Sequence, residues 1–272
     1  MSLSSALFDP DLPYWQDYLP YLKQFAGTGF PGCGQLNCLL KPGLRSGGGH
    51  AIHFVPSEQL DDDGYEHRIY TTGQVSTRRD NWHDLFNALV WMRFPQIKTA
   101  MNALHYQAIP DEADGRRGPL RDALTLFDEC GVIVLSDSTE LLKMLAERRW
   151  HDAFMSTDFD ASVQISICGH AMLEKYLSPY KSMTAKALLL IVDPALLNLP
   201  REEMLIRVDN AVSSRMRRGE LLTAPGSLTP LPLAGVPGWW PQGEQQSPGF
   251  YSDLQVFRPA PQSLAPAPLN EL

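Results

Sequence analysis

The residues best suited to chemistry crowd into one stretch, Thr77–His105, which holds Arg78, Arg79, His83, Asp84, Asn87, Asn102 and His105. A histidine titrating near neutrality transfers protons, a carboxylate orients it or binds a divalent cation, and an amide holds a substrate oxygen. Arg78 or Arg79 can grip an anionic group through two parallel N–H donors. Three more candidates lie downstream: Asp128 and Glu129 before an apolar run, and His170, four residues ahead of Glu174. Acids poised between a helix end and a buried strand are either surface residues or site carboxylates. A His and a Glu four apart on a helix share a face, which suits an ion pair or two ligands.

A helix must carry the first group. Trp82, Leu85, Phe86, Leu89 and Val90 recur at helical spacing, forming a buried stripe. Asn81 is a suitable N-cap, placing Asp84 at the third helical position, where an acid reaches back to the cap amide and favours the positive helix end. His83 and Asn87 project together from a neighbouring face. Pro95 ends this helix and starts another, whose apolar face is Ile97, Met101 and Leu104 and whose polar side carries Lys98, Asn102 and His105. So short a connection should pack the two helices as neighbours, bringing the His83/Asn87 and Asn102/His105 faces together.

Other clusters are weaker. Cys33 and Cys38 followed by His50 and His53 approach a two-Cys, two-His zinc pattern, but both gaps depart from the usual ones. His50 and His53 also straddle an expected strand, AIHFV, where residues three apart face opposite sides. Asp61–Gly64, DDDG, is a turn signal without the alternating acids of a calcium loop. Gly47–Gly49 lacks the Lys and Ser/Thr that complete a phosphate-cradling loop, and no serine sits in a nucleophile-elbow glycine pattern.

Along the rest of the chain, a short helix over Trp15–Phe25 is expected to bend near Pro20. Gly27–Gly49 and Pro110–Pro119 are loops, and Tyr65–Thr72 alternates with β-formers and predicts a strand. Helices are expected at Leu120–Phe127, from a cap at Asp137 or Ser138 through Glu147, at Trp150–Phe154, Gly169–Leu177 and Arg201–Arg218. Val132–Leu135, Ser162–Ile167 and Lys186–Val192 are strands, the last too continuously apolar to have a wet face. From Thr223 onward proline and glycine prevent helix, while Trp239, Trp240, Phe250, Tyr251 and Phe257 predict a segment that wraps the body. The fold class is therefore mixed α+β: a central sheet of short strands surrounded by helices, with an irregular Pro/aromatic-rich C-terminal wrap. Residues 1–259 are expected as one globular domain and 260–272 as a loose tail.

The chain has 272 residues and a formal net charge of −8, which argues against extended nucleic-acid binding. No apolar run approaches the roughly 18–20 residues that cross a bilayer, and the first residues lack a basic segment followed by an apolar one. The cytoplasm is the expected compartment, and Cys33, Cys38, Cys130 and Cys168 are expected as reduced thiols.

The run TRRDNWHDLFNALVWMRFPQIKTAMN, FDE at Phe127–Glu129, GHAMLEK at Gly169–Lys175 and LPLAGVPGWWP near the C-terminus together resemble the bacterial family catalogued as domain of unknown function 3025. The resemblance runs from about Leu12 to Pro259 and its pattern includes Arg78, Asn81, Trp82, His83, Asp84, Asn87, Asp128, Glu129, His170 and Glu174, but not Cys33, Cys38, His50 or His53. It implies no particular activity.

Two functions remain open on residue chemistry. One is a hydrolase-like enzyme, assisted by a divalent metal and acting on an anionic or phosphoester substrate. Its catalytic groups are His83, Asp84, Asn87, Asp128, Glu129 and His170, and its substrate-binding groups Arg78, Arg79, Asn102 and His105. The other is a non-catalytic binding or scaffold protein in which these residues form a buried polar network and the C-terminal Pro/aromatic segment meets a protein partner. Convergence of the His83 face, Asp128/Glu129 and His170 on one open cleft distinguishes the two.

Overall fold

The chain's most apolar runs become the innermost strands. In a computed structural model that describes residues 8–27, 29–60, 64–109, 117–247, 249–261 and 265–272, the main sheet is built on β3 (Gly131–Ser136) and β5 (Thr184–Ile191). Every residue of β3 is buried, as are Leu188, Leu189 and Leu190 of β5. Burying each leucine contributes about 1.5–3 kcal/mol. β3 pairs in parallel with β5 and antiparallel with β4 (Val163–Ile167), with Val134 opposite Leu189 and Ile165 respectively. Beyond β5, β6 (Thr229–Pro232) pairs antiparallel at one end and β7 (Asn270–Glu271) parallel at the other. Proline lacks an amide donor, so the TPLP strand suits a sheet edge.

A second, small sheet joins β1 (His53–Pro56) and β2 (Gln74–Thr77) in parallel. Between them lies α3 (Tyr65–Thr72), which corrects the expected strand there. Parallel strands joined in sequence need a crossover, and Gly73, in the left-handed region at φ 75°, ends the helix and returns the chain to the sheet. A Cβ on Gly73 would lie 2.1 Å from the Ala51 carbonyl oxygen, so only glycine passes this point. Eight residues are too few for period alone to separate helix from strand.

Helices surround both sheets. The N-terminal segment forms α1 (Leu19–Leu22) between short 3₁₀ turns, which replace the bent helix expected over Trp15–Phe25, and the Gly27–Gly49 loop contains α2 (Cys33–Asn37). Then come α4 (Trp82–Arg93), α5 (Pro95–Ala108), α6 (Pro119–Cys130), α7 (Thr139–Ala146), α8 (Trp150–Phe154), α9 (Phe159–Ser162), α10 (His170–Lys175), α11 (Pro194–Leu197) and α12 (Arg201–Arg217). Asp209 of α12 accepts hydrogen bonds from the Gln96 and Ile97 amides, satisfying the exposed start of α5 where Pro95 breaks it from α4.

The C-terminal segment wraps as expected. It corrects the expected absence of helix with the short α13 (Gln242–Gln245), and it buries Trp239, Phe250, Val256 and Phe257. Its end corrects the loose tail: Asn270 and Glu271 pair with Leu190 and Ile191, and the Leu272 amide donates to the Ile191 carbonyl. Asp61–Asp63 of the predicted turn and residues 110–116 of the predicted loop lie outside the described residues. Among those described, no helix is long and apolar enough to cross a membrane.

Candidate functional site

Two local breaks in regular structure aim the candidate residues at one place. Asn81 caps α4 by accepting from the Asp84 amide at 3.0 Å, which sets His83 in the first turn. Gly131 and Gly169 bring the end of α6 against the start of α10: the Cys168 and Gly169 amides both donate to the Gly131 carbonyl. A Cβ on Gly169 would stand 2.4 Å from the Gly131 nitrogen and 2.6 Å from the Glu129 carbonyl oxygen. Absence of that atom lets His170, the first residue of α10, sit beside Asp128 and Glu129 in the last turn of α6.

The resulting cleft encloses 910 Å³ and opens to solvent. Its lining includes His83, Asp84, Asn87, His105, Asp128, Glu129 and His170, together with Arg78. The Nε2 atoms of His83 and His170 face each other at 2.9 Å, their rings nearly perpendicular at 78°. Glu129 Oε2 lies 3.9 Å from His170 Nε2, and one ligand atom from each of His83, Glu129 and His170 falls within 4.8 Å of the others.

The groups behind these imidazoles set their direction. His83 Nδ1 lies 3.0 Å from Glu174 Oε2, and its Nε2 is turned to His170. Glu174 thus pairs with His83 on another helix rather than with His170 on its own. His170 Nδ1 is buried without a hydrogen-bond partner, and Asp128 Oδ2 lies 3.8 Å from it. Imidazole backed by carboxylate is the usual outer arrangement of a metal-ligating histidine. Bonds of about 2.0–2.1 Å at a tetrahedral angle separate two nitrogen ligands by roughly 3.3 Å, so a small opening of the His83–His170 pair seats a cation. Two histidines and a carboxylate with an open position form a donor set used by zinc and by ferrous iron.

Electrostatics separate the acids. Burial opposes ionisation of Asp128, but Lys98, at 2.6 Å, and the neighbouring imidazoles outweigh it and hold its carboxyl below the ordinary range. Burial pushes Glu129 up, against the pull of His83. Burial lowers His170 to about 4, with Asp128 opposing, and lowers His105 to about 4 in the same way. Both imidazoles are therefore neutral at pH 7.

Other predicted residues play different parts. Asp84 receives the Arg78 amide, Nε and Nη2 at 2.6, 3.0 and 2.7 Å, so its carboxylate turns to Arg78 rather than to the cap amide. Arg78 lines the cleft with its guanidinium already engaged. Asn87 donates to the Tyr65 hydroxyl at 2.8 Å and accepts from Lys98 at 2.9 Å. Asn102 sits behind the wall, donating to Glu66. Arg79 points away, 89% exposed and 3.8 Å from Asp80. Cys33, Cys38, His50 and His53 form no ligand cluster among the described residues, and the four cysteines are free thiols.

Tyr65, Glu66, Arg117, Arg121 and Thr125 also line the cleft and were missed from sequence. Tyr65 and Glu66 were hidden by the strand reading of α3. Arg121, Thr125, Asp128 and Glu129 carried a usable signal, since spacings of four and three put them on one helical face.

No curated protein and no solved structure matches the chain. A family model described as "Protein of unknown function (DUF3025)" matches residues 52–261, spanning α4, α6 and α10 and with them His83, Glu129 and His170, and the chain belongs to that family.

Proposed function

We propose that the protein is a metal-assisted hydrolase of anionic, phosphoester-type substrates, with a divalent cation held by His83, Glu129 and His170. One observation carries the reading: these side chains, from three separate helices, converge at 4.8 Å or less on an open cleft. A cation bound there supplies Lewis acidity and lowers the pKa of water. Glu174 orients the His83 imidazole, while Asp128, which Lys98 keeps ionised, faces His170 Nδ1 at 3.8 Å. Burial raises the pKa of the Tyr65 phenol well above its ordinary value, so it stays a neutral donor. With its oxygen accepting from Asn87, the phenol proton is available to a substrate oxygen. In the reaction, water adds to phosphorus, the P–O ester bond breaks and the alcohol leaves with a proton. Four unpaired thiols support a reducing compartment, the cytoplasm.

The competing reading is a scaffold whose polar residues only brace helices. The Arg78–Asp84, Asn87–Lys98–Asp128 and His83–His170 bonds suit it, but bracing gives no reason for Glu129 to stand beside the two imidazoles at the open cleft. Elemental analysis of purified protein, with a phosphoesterase screen before and after chelation, tests the proposal. The expected result is about one equivalent of divalent metal and chelator-sensitive hydrolysis, both lost in His83→Ala and Glu129→Gln. Folded wild-type protein that takes up no divalent metal and hydrolyses no ester overturns it.

A further inference from the structure

The C-terminal wrap leaves a second cleft, enclosing 830 Å³ against α8 and α9. Small-molecule sites occupy about 300–1,000 Å³. Tyr14, Phe154, Phe159, Trp239, Trp240 and Tyr251 line it, and no described residue lines both this cleft and the one at His83 and His170. Its rings are pinned. Trp240 Nε1 donates to Glu244 Oε2 at 2.7 Å, the Tyr251 hydroxyl donates to the Gly235 carbonyl at 3.2 Å, and Tyr14 stacks on Tyr176 with centroids 3.9 Å apart. Trp239 meets Tyr14 and Tyr176 edge-on, each at 6.0 Å. Rings fixed by the protein itself lower the ordering cost of binding a ligand.

The polar lining narrows the occupant. Gln245 is 6% exposed, and its amide nitrogen donates to the Ala234 and Val236 carbonyls, at 2.8 Å each. That leaves Oε1, an acceptor, as the amide's remaining polar atom. Asp160, exposed in the first turn of α9, is the only charged side chain among the described residues of the lining. Lys181, two residues beyond Pro179 of the lining, is paired with Asp253 at 3.0 Å. Aromatic faces attract cations, tryptophan most strongly. A carboxylate, an amide acceptor and ring faces all favour positive charge. We infer that this cleft binds a small organic cation, an amidinium or ammonium on an apolar body. Asp160 and the ring faces match its charge, Gln245 Oε1 takes an N–H, and the body packs on the aromatic lining. The site stands independently of the hydrolase reading.

The test is calorimetric titration of the whole protein with benzamidine at about pH 8, where exposed histidines are neutral. Neutral benzamide, of the same shape, is the control. Saturable binding of benzamidinium is expected, about ten-fold or more tighter than benzamide, because only the charge differs. Asp160→Asn and Trp240→Ala should each weaken it by about ten-fold. Asp160 is exposed, so its variant is expected to fold, which circular dichroism checks. Glu129→Gln should leave binding unchanged, separating this site from the acids of the other cleft. Absence of saturable benzamidinium binding, equal binding of benzamide, or unchanged binding in folded Asp160→Asn overturns the inference. So does an arginine-bearing, proline-rich peptide that binds more tightly than benzamidinium, which would make the cleft a peptide groove.

Discussion

His83 and His170 lie 87 residues apart in sequence, yet their Nε2 atoms meet at 2.9 Å. Each ring has a carboxylate behind its Nδ1, Glu174 for His83 and Asp128 for His170. Glu174 is within hydrogen-bond distance of its imidazole at 3.0 Å whereas Asp128 stands 3.8 Å from its own, so the two carboxylates are testable apart from the ligands.

Glu174→Gln keeps the size of the side chain and removes its charge. The Glu174 side chain is 42% exposed, so the fold is expected to survive. Divalent-metal affinity, measured by competition with a chromophoric chelator, should fall by about 10–100-fold. An unchanged affinity would remove Glu174 from the centre.

Lys98→Met strands Asp128 and Asn87 without their shared ammonium. The lysine is 4% exposed, and breaking one side of a buried pair costs about 3–5 kcal/mol. Denaturant unfolding should show that loss. The double variant Lys98→Met/Asp128→Asn should recover part of it, since no unpaired charge remains buried.

Gly169→Ala introduces the Cβ that the α6–α10 junction cannot accept. With the Gly131 nitrogen and Glu129 carbonyl at 2.4 and 2.6 Å from it, both backbones must shift. Metal binding should weaken more than in Gly118→Ala, where the added atom meets nothing within 4 Å. Equal affinities in the two variants would show that the close approach does not position the ligands.

His105 gives a pH dependence of definite sign. Its pKa falls from 6.5 in the free residue to about 4 through burial, so between these values the unfolded chain binds the additional proton. Its contribution to stability is full above pH 6.5 and is lost as pH falls toward 4. Metal-free wild type should therefore lose stability across that window at up to about 1.4 kcal/mol per pH unit from this residue. His105→Gln should remove that part of the slope in unfolding titrations run at stepped pH.

Much of the site was legible because its signals are local. Asn81 before an apolar stripe at helical spacing predicts α4 and its cap, Pro95 predicts the break to α5, and KALLLIV predicts an inner strand; all are present. Tyr65–Thr72 was not legible, since its eight residues satisfy strand alternation and helical spacing alike, and the parallel β1–β2 pair that requires a crossover is a long-range fact. The tail was misread for a similar reason: two residues pairing with the edge of β5 leave no periodic trace.

What the sequence determined by itself is which side chains share a helical face, because that follows from 3.6 residues per turn. It placed His83 beside Asn87, and Lys98 near Asn102 and His105. Tertiary structure alone decided which faces meet. It turned Glu174 to His83 rather than His170, committed Arg78 to Asp84, sent Arg79 to solvent, and joined α4, α6 and α10 at His83, Glu129 and His170. The reason is physical: helix periodicity is set by neighbouring residues, whereas the meeting of three helices is set by apolar burial against a shared sheet and by two glycines whose missing Cβ atoms permit the approach.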